Sequence, residues 1–193
     1  MFEHVYKQAF EEHLTLFPKL NDLMDDIMRA AGYMLETIQS GKKIMVCGNG
    51  GSAADAQHFA AEMVGRFRRE RRPWGAIALT TDTSILTAVG NDYSFEEIFA
   101  RQVEALASPG DLFLGISTSG GSGNVLNAAL CARIKGIKTV GLLGNDGGSI
   151  SRSVDCAVIV PCNVTARIQE VHSFVLHVWC EMMESAFAGC RQG

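Results

Sequence analysis

Along residues 2–39 the apolar positions recur every three or four residues: Val5, Phe10, Leu14, Phe17, then Leu20, Leu23, Met24, Ile27, Ala31, Met34, Leu35 and Ile38. That period predicts two amphipathic helices with a joint at 18–21, where Pro18 falls. Beyond residue 40 the pattern changes. Short, continuous apolar runs at 43–47, 76–79, 111–116, 138–143 and 156–160 alternate with helical stretches at 51–66, 84–89, 95–107, 123–135 and 165–188. Strands buried on both faces read as unbroken apolar runs, and strand–helix alternation is the signature of a parallel sheet. The expected fold is therefore α/β: a doubly wound five-stranded parallel sheet in the flavodoxin-like order 2-1-3-4-5, preceded by an N-terminal helical arm. The arm, residues 1–40, is expected to bury its stripe in an oligomer, and 41–193 to form the α/β core of a single domain.

In such a sheet, ligands sit beyond the carboxyl ends of the strands where the strand order reverses, between strands one and three. Both loops at that point are rich in glycine. The first, Cys47-Gly48-Asn49-Gly50-Gly51-Ser52, opens a helix on which His58 and Glu62 share one face. The second, Ser117-Thr118-Ser119-Gly120-Gly121-Ser122, packs hydroxyls against glycine at a helix start. Backbone N–H groups and the positive dipole end make both turns candidate anion sites. No Lys-Ser/Thr ending completes a Walker loop in the first turn. Gly48-Asn49-Gly50-Gly51-Ser52-Ala53 satisfies GxGxxA, but no acid follows at the spacing a ribose requires, since Asp82 comes too late and reads as a helix cap. No nucleotide cofactor is expected.

Composition narrows the classes. With 17 basic and 21 acidic residues the net charge is −4, which gives no electrostatic case for nucleic acid or an acidic membrane surface as partner. No apolar run is long enough to span a bilayer, and residues 1–20 lack the form of a signal peptide, so a cytoplasmic protein is expected. Cys47, Cys131, Cys156, Cys162, Cys180 and Cys190 show no CxxC spacing and read as reduced, packed thiols. The basic run from Arg66 to Arg72 reads as a solvated helix end and turn, with Arg66 alone near enough to Glu62 to reach the pocket.

The layout of strand, CGNGGSAADAQHFAAE, strand and ISTSGGSGN, closed by a helix carrying RIQEVH, resembles the sugar isomerase (SIS) domain family over nearly the whole chain. Within it the resemblance is to the aldose–ketose isomerases of sedoheptulose 7-phosphate. It implies a homotetramer with sites at subunit contacts and a phosphosugar ligand. Ser117, Thr118, Ser119 and Ser122 would hold the phosphate, and Asn49, Gly50, Gly51, Ser52, Asn91, Asp92 and Gln169 would contact the sugar. One departure is Gly121, where many relatives carry a larger polar residue.

Isomerisation needs a base to move a proton between two carbons and an acid to serve the oxygens. Glu62, on a largely apolar helix where partial desolvation suits a carboxylate to that work, is the candidate base. His177, in the apolar setting Phe174-Val175-Leu176-His177-Val178-Trp179, is the candidate acid, at a position where active relatives carry histidine. His172 reads as structural. His58, Glu62, Gln169 and His177 match the ligand positions of zinc-binding relatives, which implies an exchangeable Zn²⁺. Gln169 and His177 are eight residues apart, about 12 Å along one helix, so both reach one metal only by leaning together or from different subunits. The alternative function is a non-catalytic SIS protein that binds the bacterial replication initiator. Such proteins lack the Glu–His pair that stands here.

Overall fold

The computed structural model describes residues 1–189; Cys190 lies outside the described residues. Five parallel strands, β1 (Lys43–Gly48), β2 (Gly75–Ala78), β3 (Leu112–Ser117), β4 (Lys138–Gly144) and β5 (Cys156–Val160), form one sheet in the order β2-β1-β3-β4-β5, as the sequence pattern requires. Register pairs Gly48 with Ile116 and Ser117 with Leu143, so the first and second glycine-rich loops leave the same edge of adjacent strands.

Alternate side chains feed two cores, as the pleat dictates. Ile44, Val46, Leu112, Leu114 and Ile116 point to one face, where α2 (Met24–Gln39), α3 (Gly51–Val64) and α8 (Thr165–Gly189) cover them with Ile27, Met34, Phe59, Met63, Val175 and Trp179. Met45, Cys47 and Phe113 point to the other face, covered by α5 (Ala100–Leu106) and α6 (Gly123–Ile134) through Phe99, Val103, Val125 and Ala129.

The N-terminal arm consists of α1 (Phe2–Leu16), a 3-10 segment across Phe17–Leu23 with Pro18 in its first turn, and α2. Its two helices do not share a fate. The stripe of α2 is buried within the chain, where Trp179 donates its indole N–H to the Ile27 carbonyl at 3.0 Å, contrary to the expectation that the arm has little to pack against on its own chain. Phe2, Val5, Tyr6, Phe10 and Leu14 of α1 stay exposed. Arg167 of α8 ties α1 down by donating to the Ala9 carbonyl at 2.6 Å.

Three boundaries differ from the sequence pattern. The stretch 95–107 is one short 3-10 turn, Phe95–Glu97, followed by α5, because Ile98 and Phe99 are drawn into the second core and break the helical run. The helical stretch expected at 84–89 runs on through Asn91 and Asp92, which end α4 (Thr83–Asp92), and Asp82 caps its start by accepting from the Ile85 N–H at 2.9 Å. A single turn of helix, α7 (Gly148–Ser151), follows the 144–147 turn. The described cysteines are free thiols, and no described helix is long and apolar enough to cross a membrane.

Candidate active site

The two glycine-rich loops use their glycines differently. At the end of β3, Gly120 adopts φ +65° and lies against the backbone of Gly147 and Gly148, with its carbonyl accepting from the Ile150 N–H at 3.1 Å. That close approach turns the loop so that its hydroxyls converge. Ser117 Oγ lies 2.9 Å from Ser122 Oγ and 3.4 Å from Ser119 Oγ, and Ser119 accepts the Gly121 N–H at 3.2 Å. Asn145 holds the Thr118 carbonyl at 3.1 Å. Ser122 is the N-cap residue of α6, so the hydroxyl cluster sits on the open N–H end of that helix. A Cβ on Gly121 would have only Ser119 Oγ nearby, at 3.8 Å, so the glycine there leaves the loop's packing unchanged.

At the end of β1 a side chain of α8 meets the turn. A Cβ on Gly51 would fall 2.1 Å from the Gln169 amide nitrogen, so this glycine admits a side chain of α8 against the start of α3. Asn49 exchanges a reciprocal pair of amide hydrogen bonds, 2.9 Å each, with the buried Asn124 of α6. This pair ties the two loops together. Ser52 is buried beneath the turn, with Gly48 against it.

Gln169 over Gly51 is the first rung of a ladder. Ser173 donates to Asp55 Oδ1 at 3.0 Å, and His177 Nε2 meets His58 Nε2 at 2.9 Å. The helices α3 and α8 therefore run side by side in the same direction, each rung about one helical turn beyond the last. Glu62 lies at the far end, its Oε1 3.5 Å from His58 Nε2. Phe67 stacks on the His177 ring at 5.4 Å between centroids. His58, Glu62 and His177 thus converge, whereas Gln169 stays two turns earlier at Gly51.

Two imidazole nitrogens and a carboxylate oxygen are donors that zinc accepts. The two imidazole Nε2 atoms face each other at hydrogen-bond distance, one donating and the other accepting according to tautomer. As they stand, among the described residues no group of three or more His, Cys, Asp or Glu side chains is placed to hold a metal ion.

Several other positions refine the sequence reading. Arg66 pairs with Glu70 at 3.7 Å on the surface and does not turn to Glu62. Asn91 and Asp92 are exposed at the end of α4, bonded to each other at 2.8 Å. His172 is fully buried, its Nε2–H donating to the Leu143 carbonyl at 3.2 Å while Nδ1 has no partner; burial lowers its pKa to about 4, with the Leu143 bond opposing. That agrees with a structural role. The sequence reading missed Asp55, whose buried Oδ2 has no partner and whose pKa is raised by burial against the lowering pull of Ser173, His58 and His177. Its place on the face shared by Gly51, His58 and Glu62 was the available signal. It also missed Asn124 and Arg71. The Arg71 side chain is only 7% exposed, so the basic run is not solvated throughout.

A model of the SIS domain matches residues 6–144. A phosphoheptose isomerase of Nitratiruptor is 52% identical over 97% of this chain and all of the relative, and one of Geotalea daltonii is 50% identical over the whole of both. Among solved structures, a phosphoheptose isomerase from Neisseria gonorrhoeae superposes with a TM-score of 0.91 at 42% identity, covering 96% of this chain and all of that one. One from Francisella tularensis gives 0.92 at 37%, covering 96% and 99%. With that agreement over nearly its full length, the chain belongs to the SIS domain family, among the phosphoheptose isomerases.

Proposed function

We propose that the chain isomerises sedoheptulose 7-phosphate to D-glycero-D-manno-heptose 7-phosphate, supplying heptose for lipopolysaccharide core or related glycans. The observation that carries this reading is that Glu62 on α3 and His177 on α8 both reach His58, in a chain whose β3 end gathers a cluster of hydroxyls. A non-catalytic role, as in initiator-binding relatives, has no use for that pair.

In this reading Ser117, Thr118, Ser119 and Ser122, with the N–H groups opening α6, hold the phosphate. A dianion there is stabilised by hydroxyls and the helix dipole without a lysine. Asn49, Gly50, Gly51, Ser52, Asn91, Asp92 and Gln169 border the sugar. Glu62 takes a proton from C1 of the ketose, and the electron pair forms the enediol; the same carboxyl returns the proton to C2, giving the aldose. His177 donates to the C2 oxygen as it gains charge and recovers a proton from the C1 oxygen as the aldehyde forms. Both groups end as they began.

His58, Glu62 and His177 would hold Zn²⁺, with Gln169 joining only after its amide leaves Gly51. Bound there, the ion would supply Lewis-acid polarisation of the substrate oxygens. Because Glu62 serves both as ligand and base, exchangeable occupancy is expected. The exposed apolar stripe of α1 supports a homotetramer, and the free thiols support a cytoplasmic location.

The test is proton NMR of sedoheptulose 7-phosphate with the protein in D₂O, repeated after chelation and after zinc addition. Wild-type protein should form the aldose with deuterium exchange, and Glu62→Gln should lower kcat by about 10²–10⁴. Bound sugar phosphate with no product, with and without zinc, would overturn the isomerase.

A further inference from the structure

Beyond the reactive residues, one buried ion pair closes the far end of the α3–α8 seam. The Arg71 guanidinium lies with its carbon over the Trp74 ring, 3.5 Å from the centroid, and its N–H groups reach five partners, the Gly65 and Arg72 carbonyls among them. It donates to the Glu62 carbonyl at 2.7 Å, the Met63 carbonyl at 2.9 Å and Glu184 Oε1 at 3.2 Å. The first two are carbonyls in the last turn of α3, which has no intrahelical partner for them. Glu184, two turns beyond His177 on α8, also accepts the backbone N–H groups of Phe67, Arg68 and Arg69 at 3.0–3.1 Å. Burial works against the Glu184 charge, but these three bonds and Arg71 outweigh it and hold its pKa below the usual carboxylate value. The two side chains are 7% and 3% exposed.

Two consequences meet at the reactive pair. Arg71 grips the peptide unit that carries Glu62. Glu184 fixes the irregular exit from α3 on which Phe67 rides, and Phe67 is the ring that lies on His177. We propose that Arg71 and Glu184 are positioning residues that set the separation and orientation of Glu62 and His177. The inference rests on the isomerase reading for its kinetic consequence, and on geometry alone for its structural one.

A pair at this position has no access to the hydroxyl loop on α6, so substrate binding and proton transfer respond differently when it is altered. Removing one partner leaves the other charged and buried; replacing both with apolar side chains removes the charges, although the N–H groups of Phe67, Arg68 and Arg69 then lack their acceptor. Positioning is therefore read at a temperature at which each variant is folded. The experiment compares wild type, Glu184→Gln and the double variant Arg71→Met/Glu184→Leu, with thermal melts fixing a temperature at which each is folded. Kinetics with sedoheptulose 7-phosphate accompany the imidazole carbon-bound proton resonances of His177, whose ring-current shift reports Phe67 stacking. Expected is a fall in kcat of about tenfold or more in both variants with KM within about twofold, since small displacements of reacting groups are costly while ground-state contacts are untouched. The His177 resonances should move in both variants while each is folded. A double variant with wild-type kcat and wild-type His177 resonances would overturn the positioning role and leave the pair a fastener of the fold. If wild-type protein shows no isomerase activity, that reading fails by itself, and the His177 resonances still decide whether the pair orients the ring.

Discussion

The β1–α3 turn and the β3–α6 loop read alike in sequence, each a glycine-rich strand end opening a helix, yet they do opposite things with the same residue. Gly120 brings backbone against backbone and leaves the hydroxyls of Ser117, Ser119 and Ser122 gathered at a helix start. Gly51 makes room for the Gln169 side chain and covers its helix start. Glycine at a helix entrance signals close approach; what approaches is decided elsewhere in the chain. One turn gathers hydroxyls at an open helix start, and the other is a seam between two helices.

The contrast can be broken at the glycines. Gly120→Ala faces both a positive φ and the backbone of Gly147, neither of which can yield, so a loss of about 3 kcal/mol or more in chemical denaturation is expected. A second break comes through acid. His172 donates to Leu143, the register partner of Ser117, and so braces the hydroxyl loop from behind. Its folded pKa of about 4 lies below the ordinary 6.5, so folding favours the neutral ring. The stability it contributes is complete above pH 6.5 and is lost as pH falls toward 4, about 3 kcal/mol in all. His172→Asn should flatten that part of the stability–pH curve, measured by urea unfolding from pH 7 to 4.

Asn49→Ala separates the two loops by leaving the buried Asn124 amide without its partners, at a cost of about 2 kcal/mol, read as a lower urea midpoint. Gly51→Ala is the smallest perturbation to the fold, about 1 kcal/mol, because the Gln169 amide is the end of a flexible side chain and can swing away. Its expected signature is a thermal midpoint close to wild type with reduced isomerase turnover, the reverse of Gly120→Ala, where folding itself gives way.

The strand order, the two loops and the i, i+4 pair of His58 and Glu62 were legible because each rests on local spacing and on burial of continuous apolar runs. The helix break at Ile98 and Phe99 was not, since those residues suit a helix and are claimed by the second core. Arg71 was hidden for a related reason. Amid arginines that do face solvent, nothing marks the one whose carboxylate partner lies more than a hundred residues later at Glu184. Gln169 and Asp55 likewise acquire meaning only once α3 and α8 are laid side by side.

That pairing also governs when the protein becomes able to act. The contacts from Asp55 to Ser173 and from His58 to His177 each join residues 118 or 119 positions apart. Non-local contacts of that span form late, after the intervening sheet has assembled, because loop closure must be offset first. During synthesis, α3 with its histidine and glutamate emerges long before α8. The nascent chain can carry both glycine-rich loops and still have no His177 to meet His58.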